Sequence, residues 1–236
     1  EMQLRVDVFR VNLANDDSIE GVFGTRVSGL GAELNMVGCK SRGSPLSGVL
    51  ADRGGKLSMV DCEVSNCVQN GIFGYESKDL VVRNCKVSQV KSFCVSVSLC
   101  SIGTARALVT HSRFQADREN SAVVLRTRSK PCHLDIQVTD NTILDAWTGI
   151  ICWPRYYDED DDEETRKKRE TDDPIIECEH PDCLQCQMVL ARNVITNPRN
   201  HGLNIGSPMA KHLNGHTCQV VGNEVSHCLQ LGILVA

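Results

Sequence analysis

The chain has 236 residues, 41% of them hydrophobic, a net charge of −5 and an isoelectric point near 5.8. This is long enough for one continuous core, and the negative balance excludes binding driven by nucleic-acid phosphates. No apolar run of about 18 residues occurs, so no membrane insertion is read, and the N-terminus carries no basic-then-apolar leader.

From the N-terminus onward, one unit recurs. It begins weakly with Asn12, followed by Gly21-Val22. Cys39, Cys62, Cys85, Ser112, Asn141, Asn193 and Asn223 are then equivalent anchors. Eight to ten residues after each comes a small residue and an aliphatic one: Gly48-Val49, Gly71-Ile72, Cys94-Val95, Ala122-Val123, Gly149-Ile150, Gly202-Leu203 and Gly232-Ile233. Met36, Met59, Val82, Val109, Val138, Leu190 and Val220 stand three before the anchors, and another apolar set from Leu34 to Cys218 stands five before. Val64, Val87, Phe114, Ile143, Ile195 and Val225 follow two after them. Apolar residues at a spacing of two mark strands with one buried face, and Gly, Asn, Asp and Ser break them into short pieces.

A period of 20 to 50 residues signals a solenoid. Short strands, a coil of about 23 residues and no helical period predict an all-β fold, a single-stranded right-handed parallel β-helix of seven or eight coils with one long inserted loop. Right-handedness follows from strand twist and crossover chirality. The whole chain reads as one domain. Like residues should stack on like, so Cys39, Cys62 and Cys85 are expected to form one internal ladder that Asn141, Asn193 and Asn223 continue. Residues Gly232 to Ala236 read as strand without a polar cap, so the chain ends are expected to be covered by more polypeptide or a partner.

The thirteen cysteines do not form a disulfide framework in this reading: their number is odd, and stacked coils set them farther apart than a disulfide spans. There is no Asn-x-Ser/Thr acceptor. The expected location is a reducing compartment, cytoplasmic or nuclear.

Anchor spacings of 23, 23, 27, 29, 52 and 30 place the excess near 98–106, 126–133, 153–186 and 206–217. In a stacked coil these points share one corner, after what reads as the second strand, and insertions gathered there form a binding face. The largest insertion, 153–186, carries an acidic run from Asp158 to Glu164, the basic run Arg166 to Arg169, and then Cys178, His180, Cys183 and Cys186. The last four are candidate ligands for structural zinc, the one cofactor suggested. His212 and His216 follow at the same corner. Trp147, Trp153, Tyr156 and Tyr157, four of the ten aromatic residues, flank the insertion and suit a protein contact or a sugar platform.

Catalysis finds weak footing. Asn200 to Ser207 resembles the Gly-His-Gly-Ile/Leu-Ser-Ile/Leu-Gly-Ser segment of polygalacturonase-type glycoside hydrolases, and Asp16-Asp17 their paired aspartates. Six coils separate the two, and carboxylates must flank one glycosidic bond. A calcium-dependent lyase would need acids on adjacent coils, which Asp135, Asp140 and Asp145 do not supply. No catalytic residue is assigned.

The coils Met59-Val-Asp-Cys-Glu-Val-Ser-Asn-Cys-Val-Gln-Asn-Gly-Ile72 and Val221-Gly-Asn-Glu-Val-Ser-His-Cys-Leu-Gln-Leu-Gly-Ile233 resemble the right-handed β-helix repeats of eukaryotic intracellular proteins, in particular the β-helix F-box proteins and the Shc SH2-domain-binding family. The resemblance implies recognition of protein partners or scaffolding, without a catalytic centre. No F-box-like helical segment accompanies the repeats, so a ubiquitin-ligase role has no support. The expected function is therefore a non-enzymatic recognition or scaffold module acting through the loop-bearing corner, with Trp147, Trp153, Tyr156, Tyr157, His201, Lys211 and His212 as candidate contacts. A carbohydrate-binding or carbohydrate-processing module with a glycan partner is the alternative. A structural rod in a large assembly is the third reading.

Overall fold

In a computed structural model of the chain, the structure describes residues 4–14, 24–99, 104–127, 133–156, 185–206 and 217–235. They form eight coils of three strands each. The strands are β1 (Leu4–Phe9), β2 (Asn12–Ala14), β3 (Thr25–Ser28); β4 (Ala32–Val37), β5 (Lys40–Arg42), β6 (Val49–Asp52); β7 (Lys56–Val60), β8 (Glu63–Cys67), β9 (Ile72–Ser77); β10 (Asp79–Arg83), β11 (Lys86–Val90), β12 (Val95–Leu99). They continue as β13 (Thr104–Thr110), β14 (Arg113–Gln115), β15 (Val123–Thr127); β16 (His133–Thr139), β17 (Thr142–Leu144), β18 (Ile150–Tyr156); β19 (Gln185–Ala191), β20 (Val194–Thr196), β21 (Leu203–Ile205); β22 (Thr217–Val221), β23 (Glu224–Ser226) and β24 (Ile233–Val235). The first strands of all coils make sheet A, the second sheet B and the third sheet C, each eight-stranded, with parallel pairing between successive coils. At about 4.8 Å per coil the rod is about 34 Å long.

The repeat read from the sequence is the register of the strands. Leu34, Leu57, Leu80, Ala107, Ile136, Met188 and Cys218 lie side by side on sheet A. Val49, Ile72, Val95, Val123, Ile150, Leu203 and Ile233 do so on sheet C. These columns point inward and close one core. Each fully buried aliphatic side chain there contributes about 1.5–3 kcal/mol. A one-residue slip would turn a whole strand's apolar set to solvent, which is why the pattern specifies register so strongly. Among the described residues, only those of the end coils show inward side chains to water, among them Val6, Ile233 and Val235.

Two details differ from the sequence reading. Each coil has three strands, not two, because the anchor sits in a two-residue bend that separates sheet A from sheet B. The residue before each anchor has positive φ: Gly38, Asp61, Asn84, His111, Asp140, Arg192 and Gly222. Asn, Asp and His tolerate this conformation best among residues with a Cβ. The first coil's anchor is Val11 rather than Asn12. Arg10 takes the positive φ there (52°), Lys40 donates its N–H to the Val11 carbonyl at 2.8 Å, and Asn12 pairs with Lys40, one position on. Thr25 pairs with Val49, so Gly24-Thr25 fills the place expected of Gly21-Val22, which lies outside the described residues.

The anchor ladder forms as expected. Asn223 Oδ1 accepts the Asn193 N–H at 3.0 Å, Asn193 Oδ1 accepts that of Asn141 at 3.2 Å, and Asn141 Oδ1 accepts that of Ser112 at 2.9 Å. Ser112 Oγ in turn accepts the Cys85 N–H at 3.0 Å. Each asparagine also donates from Nδ2 to a carbonyl of the preceding coil: Asn141 to Val109, Asn193 to Val138 and Asn223 to Leu190. The thiols of Cys39, Cys62 and Cys85 continue the column with S–H bonds to Val37, Val60 and Arg83 carbonyls at 3.2–3.5 Å. No disulfide joins the described cysteines.

Candidate functional site

The corner between sheets A and B is held to two residues in every coil. The corner from sheet C back to sheet A is variable. One residue, Lys78, joins β9 to β10, whereas segments 100–103, 128–132, 157–184 and 206–216 join the later pairs. All four longer connections thus leave sheet C at the same edge, where the sequence reading had gathered its insertions.

The outer face of sheet C leads to that edge. Its first outward row is Arg26, Leu50, Phe73, Ser96, Val124, Ile151, Asn204 and Leu234; its second runs Ser28, Asp52, Tyr75, Ser98 and Arg126. Leu50 and Val124 are 4% and 0% exposed although neither belongs to the central core, so this face is sheltered as well as apolar. The rings of Phe73 and Tyr75 lie 6.2 Å apart at a tilt of 56°, a favourable aromatic geometry. Arg26 donates to Asp52 at 2.5 Å across one rung. Burial works against the Asp52 carboxylate, but the Arg26 and Ser28 hydrogen bonds outweigh it and hold the group below the usual carboxylate range.

These residues escaped the sequence reading, which followed inward positions. The signal was the apolar residue at outward sites: Leu50, Phe73, Val124 and Ile151 alternate with the core residues on their own strands, where a solvated face would carry polar groups.

Among the residues singled out in the sequence, Trp153 and Tyr156 belong to β18, at the end from which the long insertion leaves. Trp147 precedes the start of β18, 42% exposed, at the corner between sheets B and C, where its N–H donates to the Asn120 carbonyl. His201 lies at that same corner, its ring buried and its Nδ1 without a partner among the described residues. The structure therefore does not join Trp147 and His201 to the loop-bearing corner; a strand's length separates them. Tyr157, Lys211, His212 and His216 lie outside the described residues.

So do Cys178, His180 and Cys183. Cys186, the last of the suggested zinc ligands, is in β19, paired with Leu134 and 4% exposed. Burial pushes its thiol up to about 12.

Residues 8–153 match the model of a family described as a right-handed β-helix region. The chain belongs to the right-handed β-helix family. No curated protein and no solved structure matches it. The family fixes the architecture and is compatible with both recognition scaffolds and carbohydrate-active enzymes, so function has to be argued from the site. In this β-helix the site with the most chemistry is sheet C's outer face: two tilted rings, a sheltered aliphatic row and the Arg26–Asp52 pair, on the sheet from whose edge the four longer connections to sheet A leave.

Proposed function

We propose that the β-helix is a non-enzymatic recognition module that binds protein partners through sheet C's outer face and the corner where its long connections leave. The collection of all four longer connections at one edge carries this reading, since scaffolds of stacked repeats bind through insertions on one side. The partly exposed Tyr75 and the exposed Arg26 on this face are residue types enriched in protein-contact hot spots. The role matches that of the β-helix F-box and Shc-binding proteins that the repeats resemble, and it fits an intracellular location.

The glycan alternative rests on Tyr75 and on Trp153 of β18. It is the weaker reading, because Trp147 and His201, which would complete a sugar platform, sit at another corner. The test is affinity capture from cytosolic lysate, comparing the intact chain with one in which residues 157–184 are replaced by a short Gly-Ser link. A discrete protein set recovered by the intact chain alone supports the proposal. Identical sets would move binding to the sides or ends of the rod. An empty capture together with a positive glycan array would favour the carbohydrate reading.

A further inference from the structure

Sheet B carries a second surface, away from the face just described. A shallow groove of about 810 Å³ crosses it over coils 2 to 5, lined by Arg42, Glu63, Lys86, Lys91 and Asp117, with Ser65, Asn66, Ser88, Gln89 and Gln115 between them. Its charges are not balanced internally. Lys40 and Arg42 both bind Glu63, at 3.1 and 3.2 Å, and the Lys40 ammonium first, with Arg42 behind it, holds that carboxyl below its usual range. The Asp117 carboxylate accepts the Glu119 N–H at 3.4 Å. Lys86 and Lys91 have no anionic partner among the described residues, nor has Arg113, stacked on Lys86 in the next coil.

Sheet A shows what the same fold does when charge serves only stability. Its outer row reads Arg5, Glu33, Lys56, Asp79, Arg106 and Asp135 along the rod, alternating in sign at every rung, with Arg106 on Asp79 at 3.0 Å. The corresponding row of sheet B reads Lys40, Glu63, Lys86 and Arg113. Like charges on adjacent strands are destabilising. In a chain of net charge −5, unpaired cations held together around a groove are a site for an anionic ligand.

We infer that this groove binds an acidic segment of a protein, an extended stretch of carboxylate- or phosphate-bearing side chains. Its four coils span about 14 Å, the length of four to five extended residues. The hydroxyls and amides between the cations suit a polypeptide's own N–H and C=O groups. Among the described residues Val90 and Ala116 are the only apolar members of the lining, and none of them offers a ring for a sugar to stack on. The inference is independent of the role proposed for sheet C.

The probes are fluorescein-labelled hexaglutamate and a phosphoserine peptide of equal length, followed by anisotropy, with a sulfated oligosaccharide as rival ligand. Lys86→Gln/Lys91→Gln is compared with Arg53→Gln/Lys78→Gln, which removes two cations outside the groove; unchanged thermal unfolding verifies that both variants fold. The expected result is peptide binding weakened about tenfold in the groove variant and less than about twofold in the control. It should also weaken as salt rises from about 0.01 to about 0.15 M and the screening length falls from about 30 to about 8 Å. Equal losses in both variants, absence of peptide binding, or tighter binding of the oligosaccharide than of either peptide would overturn the inference.

Discussion

The corner between sheets A and B and the corner between sheets C and A lie on the same coils, yet they are built on opposite terms. At the first, every coil spends two residues, one with positive φ and one anchor that is buried in all but the end coils, and hydrogen bonds of 2.8–2.9 Å run from one end to the other: Lys40 to Val11, Glu63 to Cys39, Lys86 to Cys62, Arg113 to Cys85, Thr142 to Ser112, Val194 to Asn141, Glu224 to Asn193. At the second, connection length varies from one residue to twenty-eight. A solenoid must keep one corner invariant to hold its register, and it is free to elaborate another. Stability belongs to the invariant corner, and the variable one is where we propose recognition.

The sharpest way to break that division is to remove a rung of the ladder. Asn193→Ala deletes the acceptor for the Asn141 N–H and Nδ2 and the donor to the Val138 carbonyl. Three buried polar groups lose partners, so urea unfolding should show a loss of about 3 kcal/mol or more. Gly149→Ala tests close packing where the chain enters sheet C. A Cβ there would lie 2.6 Å from the Gly202 carbonyl oxygen and 2.7 Å from an Ile195 methyl, and the expected loss is about 1–3 kcal/mol.

The thiol half of the ladder should be less costly to alter. Sulfur is a weak donor and acceptor, so Cys62→Ala should lose about 1 kcal/mol by urea unfolding, well under the loss from Asn193→Ala. Equal losses would mean that the asparagines act by volume alone. The ion pair at this corner is smaller still. Arg192 binds Asp140 at 2.6 and 2.8 Å and lowers its carboxyl to about 2. Its stabilisation is complete above about pH 4, the unfolded range, and is lost as pH falls toward 2. Arg192→Gln should flatten that part of the melting-temperature profile while leaving the neutral range nearly unchanged. On sheet C, Phe73→Ser with Tyr75→Ser removes two partly exposed rings and should still give cooperative urea unfolding, yet should abolish partner capture.

The sequence disclosed the inward half of this molecule and little of the outward half. Stacking puts each residue against its counterpart one coil away, so the inner columns repeat with constant chemistry, and the alignment from Met36 to Val220 is the pairing register itself. The asparagine ladder was legible for the same reason. The first coil misled because the bend, not the asparagine, defines the anchor: Asn12 had the right chemistry one residue too late. Outward positions answer to no such repetition. Phe73, Tyr75 and Arg126 share a face only once three strands per coil are known. Trp147 and Trp153 read as neighbours, although Trp147 lies in the bend before β18 and Trp153 within that strand.

The measurement that tests the division most directly is amide hydrogen exchange of the protein alone and bound to a captured partner. The account predicts new protection in β9, β15 and β18 on sheet C. The ladder amides of Ser112, Asn141 and Asn193 should exchange as slowly without partner as with it. Protection gained on sheet A or at the ends of the rod, with sheet C unchanged, would contradict it.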